Sequence, residues 1–346
     1  MSHEPRLEIY TINLTHFKKE QIGRVSFRDL FRTKFDFTKF GNAITREDIF
    51  KIFYQDFFLK IDTKGYLKNK VKKKAFTISY DITNDGEKSN ISSPINAQEV
   101  ISGILDGGSF GKKRNFGHVE NRKIRTEINK DNIVSDLFYF LLFTPLDHGV
   151  GILMVQGYSE IKISDILKVF LKDYFKKTGV IKSDFVPYIP CEFKDKFKDE
   201  ATFKSYKFST GWQLDGSFED AIPNDYELQF KIEIIDNNKK VPIQKLEALK
   251  NFIEQITLKI KGDNGKQRKL EDFSDKKIKV QNKAGKELDL DLDNEDGLRP
   301  IILLETLGIK LDDNGILDFK KLDIFCRNQL EEMKKQILPT YAIDES

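Results

Sequence analysis

The sequence predicts an α+β protein of two domains, each a mostly antiparallel sheet with packed helices. Residues 1–183 form a basic first domain in this reading, and residues 184–346 an acidic second one with a long C-terminal helix. Three observations support it. Hydrophobic positions make up 39% of 346 residues, enough for one large core or two ordinary ones, and two is the better fit to common domain sizes. Strand-like and helix-like patterns alternate irregularly and are joined mainly by hairpin signals, which disfavours a parallel sheet. Between Lys177 and Pro190 the periodicity lapses, Pro187 and Pro190 appear, and a new pattern starts.

Leu7 to Leu14 is rich in β-branched and aromatic residues and reads as a strand. Phenylalanines then recur beside Arg and Lys from Phe27 to Phe58, and Arg46 to Leu59 reads as a helix with Ile49, Phe50 and Phe53 inward. Ala75 to Ile82 is a strand followed by a turn at Asn84-Asp85-Gly86. Asn96 and Glu99 are spaced as a capping box, which predicts a short helix through Val100, Ile101, Ile104 and Leu105, closed at Gly107-Gly108.

Two continuous apolar runs, Leu137 to Phe143 and Gly149 to Val155, flank Pro145-Leu146-Asp147-His148. They match a central hairpin covered on both faces, because a half-exposed strand would alternate. Ile163, Ile166, Leu167, Phe170, Leu171, Tyr174 and Phe175 follow at helical spacing, closed by Gly179. Tyr226 to Ile234 alternates as a half-buried strand, and Pro242 and Gly262 bracket an expected helix. Lys277 to Leu292 reads as a strand pair turning at Lys283 to Lys286. The last helix runs from about Asp318 to Leu338, with Leu322, Cys326, Leu330, Met333 and Ile337 in one stripe and Pro339 stopping it.

Several function classes are disfavoured by composition. Two cysteines cannot build a disulfide framework, and with four histidines a zinc site would be short of ligands. No apolar run reaches the roughly 18 residues of a membrane span, and the opening residues lack the plan of a signal peptide, so a cytoplasmic location is expected. The net charge of +3 conceals an asymmetry. Residues 1–131 hold 25 Lys/Arg against 17 Asp/Glu, which is +8, whereas the remainder holds 33 against 38, which is −5. A basic half suggests a polyanionic partner, and uneven solvated faces are the plainer alternative.

Two basic clusters are the candidate nucleic-acid contacts. The first is the loop Gly107 to His118, where Lys112, Lys113 and Arg114 stand among glycines and phenylalanines; Arg122, Lys123 and Arg125 extend it. Glycine permits close backbone approach, while cations and rings suit phosphates and bases. The second, Lys68, Lys70, Lys72, Lys73 and Lys74, puts Lys70, Lys72 and Lys74 on one side of an extended segment; such lysines also serve to protect an edge strand. No P-loop sequence is present. Asp184, Glu192 and Lys194 faintly imitate a nuclease arrangement, but the prolines interrupt it. Asp289 to Asp296 lacks the glycine of a calcium loop and reads as exposed acids on a strand. No catalytic residue, metal ligand or cofactor is assigned, and a binding protein is favoured over an enzyme.

The order of these features resembles that of RexA-type phage-exclusion proteins: the N-terminal strand, the glycine and basic loop, the hairpin from Phe138 to Val155, and the helix from Ile163 to Phe175. Ile278 to Leu288, followed by the helix ending Gln329 to Gln336, is similar to the RexA C-terminal part, and KwaB of the Kiwa defence system shares this plan. The resemblance implies an intracellular dimer that binds DNA with little sequence preference and works with a small membrane protein; it carries over no residue role. The expected function is thus an anti-phage sensor or effector. A metal-dependent nuclease or a protein-interaction module are the alternatives. Phe319, Ile324 and Phe325 lie partly off the C-terminal stripe, where a second copy would cover them in a homodimer.

Overall fold

The computed structural model describes residues 4–16, 25–35, 37, 44–63, 65–83, 86–89, 98–118, 120–121, 123, 125–176, 181–194, 202–212, 228–235, 255, 257–259, 267–269, 275–281, 287–291, 302–313 and 315–338. The chain begins with β1 (Pro5–His16), α1 (Phe27–Lys34) and α2 (Arg46–Ile61). Next come β2 (Leu67–Asn69), β3 (Lys74–Ile78), β4 (Tyr80–Thr83), β5 (Gly86–Ser89) and β6 (Val100–Ser109). The hairpin β7 (Arg114–Gly117) and β8 (Arg125–Ile128) precedes β9 (Val134–Phe143), β10 (Val150–Tyr158), α3 (Ser164–Phe175) and β11 (Ile181–Pro187). Further on lie β12 (Thr202–Trp212), β13 (Leu228–Ile235), β14 (Thr257–Lys259), β15 (Gln267–Lys269), β16 (Asp275–Gln281) and β17 (Glu287–Asp291). The chain ends in β18 (Ile302–Leu303) and α4 (Phe319–Ile337).

Two compact units result, residues 1–188 with 301–346 and residues 189–300. The boundary expected after residue 183 falls inside β11, whose Asp184 is registered against Asn13 of β1. α4, expected in the second domain, instead packs on β9 and β10 of the first unit.

The first unit is built on one antiparallel sheet in the order β11-β1-β10-β9-β6-β3-β2, with β18 also paired to β1. Its centre explains the apolar runs. Along β9, Phe138, Phe140 and Leu142 join the core under α1, α2 and α3. The alternate Tyr139 and Phe143 meet α4 instead: the Tyr139 hydroxyl reaches Asp323, and Lys334 Nζ lies 4.8 Å from the Phe143 ring centroid. With helices over both faces, Phe138 to Phe143 are all buried, which leaves no room for polar alternation along that half of the strand. Leu322, Cys326, Leu330 and Met333 are the buried stripe of α4, as its spacing predicts, while Ile337 is half-buried.

Phe27, Phe31, Phe50, Phe53 and Phe57 are core residues. Ser26 and Thr45 each close a capping box, with Asp29 and Asp48 respectively, so α1 and α2 start where their first N–H groups find acceptors. Phe31 and Phe53 stack at 4.3 Å, Phe27 meets Phe175 edge-on at 5.5 Å, and Phe57 lies 6.3 Å from Phe140 of the sheet. Each fully buried Phe side chain contributes about 1.5–3 kcal/mol, so this cluster is a main source of the unit's stability.

The helix expected after Asn96 is replaced by β6. Asn96 itself lies outside the described residues, and the side chain of Glu99 does not cap a helix. It is 3% exposed, accepts from Arg46 Nε at 2.6 Å and from the Leu146 main-chain N–H at 2.8 Å. A weak local signal loses here to pairing on both sides, since every residue of β6 has a register partner in β9. Gly108, expected at a helix end, is required by sheet packing: a Cβ there would come 1.9 Å from the Val134 carbonyl oxygen.

The second unit holds the four-stranded antiparallel sheet β13-β12-β16-β17 and the separate ladder β14-β15. Tyr206 and Phe208 are buried in it, with ring centroids 4.1 Å apart. The pair β16-β17 follows the predicted hairpin, and its register sets Asp289 opposite Lys279 and Asp291 opposite Lys277, consistent with acids on a strand. The helix expected between Pro242 and Gly262 is corrected at Thr257–Lys259, which is strand β14; its other positions, Gln255 excepted, lie outside the described residues, as do Gly179, Pro339 and the turns at 84–85 and 283–286. Among the described residues, no helix is long and apolar enough to cross a membrane.

Candidate nucleic-acid interface

The two basic clusters, about forty positions apart in sequence, meet at one end of the first unit's sheet. Lys70, Lys72 and Lys73 do not line an extended strand as expected. They occupy the turn between β2 and β3, because β3 starts only at Lys74 and Lys73 takes a left-handed φ of 55°. Lys112 and Lys113 form the turn after β6, and Arg114 opens β7. The link is main-chain: Phe110 N–H donates to the Lys73 carbonyl at 3.0 Å, and Gly111 N–H donates to Lys130 at 2.9 Å. Gly111 has φ +87°, and a Cβ on it would come within 3.0 Å of Lys73 Cδ, so the lysine stem passes over a residue that has to be small.

Lys123 and Arg125 are not in this patch. Arg125 opens β8 and is paired with Gly117 at the outer end of the β7-β8 hairpin, about 10 Å beyond Arg114, given roughly 3.3 Å per strand residue. Lys123 is exposed in the connection at that tip, and Arg122 lies outside the described residues.

Neighbouring carboxylates decide which cations are available. Asp165, in the first turn of α3, takes Lys72 at 3.1 Å and Lys74 at 3.2 Å. Burial alone would raise the Asp165 pKa, but hydrogen bonds from the two ammonium groups hold it below the ordinary carboxylate range. Glu127 pairs with Lys113 at 2.8 Å. Among the described residues Lys70, Lys73, Lys112 and Lys130 are exposed and form no ion pair within them. Lys68, counted in the second cluster, stays in the patch, and Lys130 joins it although no local signal singled it out: its carbonyl accepts from Gly111 N–H.

A groove opens beside this patch on the sheet face away from α2 and α3. Its volume is about 600 Å³, and its lining includes Tyr66, Lys68, Ala75, Phe110, Asp131 and Asn132. The Tyr66 hydroxyl donates to Asp106 Oδ2 at 2.7 Å, and burial together with that carboxylate pushes the phenol up to about 12. Asp106 Oδ1 is buried without a hydrogen-bond partner among the described residues.

A second polar cluster lies where α4 crosses the sheet. Asp323 Oδ1 accepts from Ser102 Oγ and from the Tyr139 hydroxyl, both at 2.8 Å, and Asp323 Oδ2 accepts from Arg327 Nε at 2.7 Å. Arg327 also donates to Ser102 Oγ at 2.9 Å. Burial raises the Asp323 pKa, yet Arg327, Tyr139 and Ser102 hold it lowered overall, while burial and the nearby acid push the Tyr139 phenol and the Cys326 thiol well up. Every polar group here is committed to another, so the cluster fixes α4 to β6 and β9.

Asp184 stands exposed on β11, 3.4 Å from Lys172, whereas Glu192 and Lys194 belong to the second unit. Among the described residues no three His, Cys, Asp or Glu side chains come together as metal ligands. Compared with protein families, curated proteins and solved structures, the chain matches none.

Proposed function

We propose that this protein binds DNA with little sequence preference, as a sensor or effector of anti-phage defence. The observation that carries the binding is the meeting of the Lys70–Lys74 turn with the Lys112–Arg114 turn through the Phe110–Lys73 hydrogen bond. Exposed ammonium groups on adjoining turns can follow a phosphate backbone, and they supply affinity without reading bases. The defence assignment rests on the resemblance in element order to RexA-type proteins.

If Lys68, Lys70, Lys73, Lys112, Arg114 and Lys130 each neutralise one phosphate, log K falls against log salt with a slope of about −5. An electrophoretic titration of duplex DNA across salt concentrations tests this. A steep slope supports the reading, and no binding of duplex, single strands or RNA at low salt overturns it. Plasmid incubated with magnesium or manganese is expected to shift without being cut. Two associations belong to the same proposal: a homodimer burying Phe319, Ile324 and Phe325 of α4, of which Ile324 is 61% exposed, and contact with a small membrane protein. Light scattering that reports a monomer at micromolar concentration removes the dimer.

A further inference from the structure

We infer that the groove beside Phe110 holds one unpaired base of the bound DNA, so that the basic patch prefers DNA with an extrahelical nucleotide to a perfect duplex. This rests on the DNA-binding reading above and adds to it what kind of DNA is preferred.

The groove and the phosphate-binding cations share their framework. Phe110 lines the groove and donates its N–H to the Lys73 carbonyl, and Lys68 lines it from β2. A strand whose phosphates lie along Lys70, Lys73 and Lys112 therefore passes the groove mouth. Its volume of about 600 Å³ falls within the roughly 300–1,000 Å³ of small-ligand sites.

The lining fits a base better than a phosphate. Phe110 and Tyr66 are half-buried, and the Tyr66 hydroxyl is already committed to Asp106, which leaves its ring as the part available to a ligand. Aromatic rings stack on any free base face, whereas in a duplex both faces are covered by neighbouring pairs. Asp131 and Asn132 are exposed at the rim. A carboxylate would repel a phosphate, but it accepts from base N–H groups, and a guanine edge offers two of them side by side. That edge is free only when the base is unpaired.

Fluorescence anisotropy with three probes tests the inference: a perfect duplex, the same duplex with one bulged guanosine, and the same duplex with a bulged abasic residue. The guanosine bulge is expected to bind about tenfold tighter than either other probe, the size of one base stacked on an aromatic side chain. Phe110→Ala and Phe110→Leu should lower it to the level of the abasic bulge; the leucine variant keeps apolar bulk at this half-buried position in case alanine compromises folding. Equal binding of all three probes, equal binding of the two bulges, or a preference that survives Phe110→Leu overturns the inference while leaving duplex binding standing. No binding of any probe overturns the proposed function with it.

Discussion

The amide of Phe110 donates to the carbonyl of Lys73 at 3.0 Å, continuing the β3-β6 ladder past Lys74 and Ser109 and so joining two basic turns that the sequence holds far apart. The two turns are therefore one surface. The double variants Lys70→Ala/Lys73→Ala and Lys112→Ala/Arg114→Ala should each weaken duplex binding and flatten the salt slope by about 2, since each lost phosphate contact removes about one unit. Lys113→Ala should do less, because Glu127 already holds Lys113 at 2.8 Å. Titrations at several salt concentrations measure both quantities.

Asp165 restrains the patch from α3. Asp165→Asn frees Lys72 and Lys74 for a polyanion and is expected to raise duplex affinity while costing about 1 kcal/mol of stability. Affinity and melting temperature must move in opposite directions; weaker binding by the variant would show that the two lysines take no part.

Gly108 separates a structural glycine from a ligand-facing one. Gly108→Ala places a methyl group 1.9 Å from the Val134 carbonyl oxygen, which is backbone and has no rotamer to change. The ladder between β6 and β9 must part, at a cost of about 3 kcal/mol or more. Urea unfolding checks it, and a stable variant with impaired DNA binding would return this glycine to the binding loop.

The attachment of α4 should depend on pH. The Asp323 carboxyl is held below its ordinary range in the folded protein, so its stabilisation is present above the unfolded-state pKa and is lost as pH falls through the lowered one. Asp323→Ala leaves Tyr139, Ser102 and Arg327 without their shared acceptor and is expected to cost about 3 kcal/mol at neutral pH. Thermal melts across the acid range should show the gap between wild type and variant narrowing as the wild-type carboxylate protonates.

Glu99 tests the junction of α2 with the sheet. Glu99→Ala removes the acceptor of Arg46 Nε and of the Leu146 N–H at a position 3% exposed, and should cost about 3 kcal/mol. Asp147 still holds Arg46 and Arg28, so the loss should stay short of full unfolding. Chemical denaturation of Glu99→Ala and Glu99→Gln, with glutamine expected to recover part of the loss, provides the measurement.

Residues whose environment is set by their near neighbours were legible in the sequence. The runs Leu137 to Phe143 and Gly149 to Val155 became the central strands β9 and β10, and the stripe from Leu322 to Met333 became the buried face of α4. Periodicity reports burial directly, and a continuous run leaves no solvated face. The same reasoning failed between Asn96 and Gly108, where a capping pattern predicted a helix and pairing between β3 and β9 made a strand. Long-range pairing there buries a whole segment, which outweighs one side-chain cap.

The position of α4 and the unity of the basic patch were decided only in three dimensions. Nothing in the stripe of α4 says which sheet it covers; Asp323 meeting Ser102 and Tyr139, more than 180 positions away, does. The cations of both clusters were visible as charges, but Lys72, Lys74 and Lys113 are taken by Asp165 and Glu127 arriving from other elements, which leaves Lys70, Lys73 and Lys112. Tyr66 and Phe110 likewise become one groove only when β2 and the turn after β6 close on the segment 131–133. Local patterning fixes what each segment buries, whereas the company that exposed side chains keep is fixed by strand register and by the turns that close it.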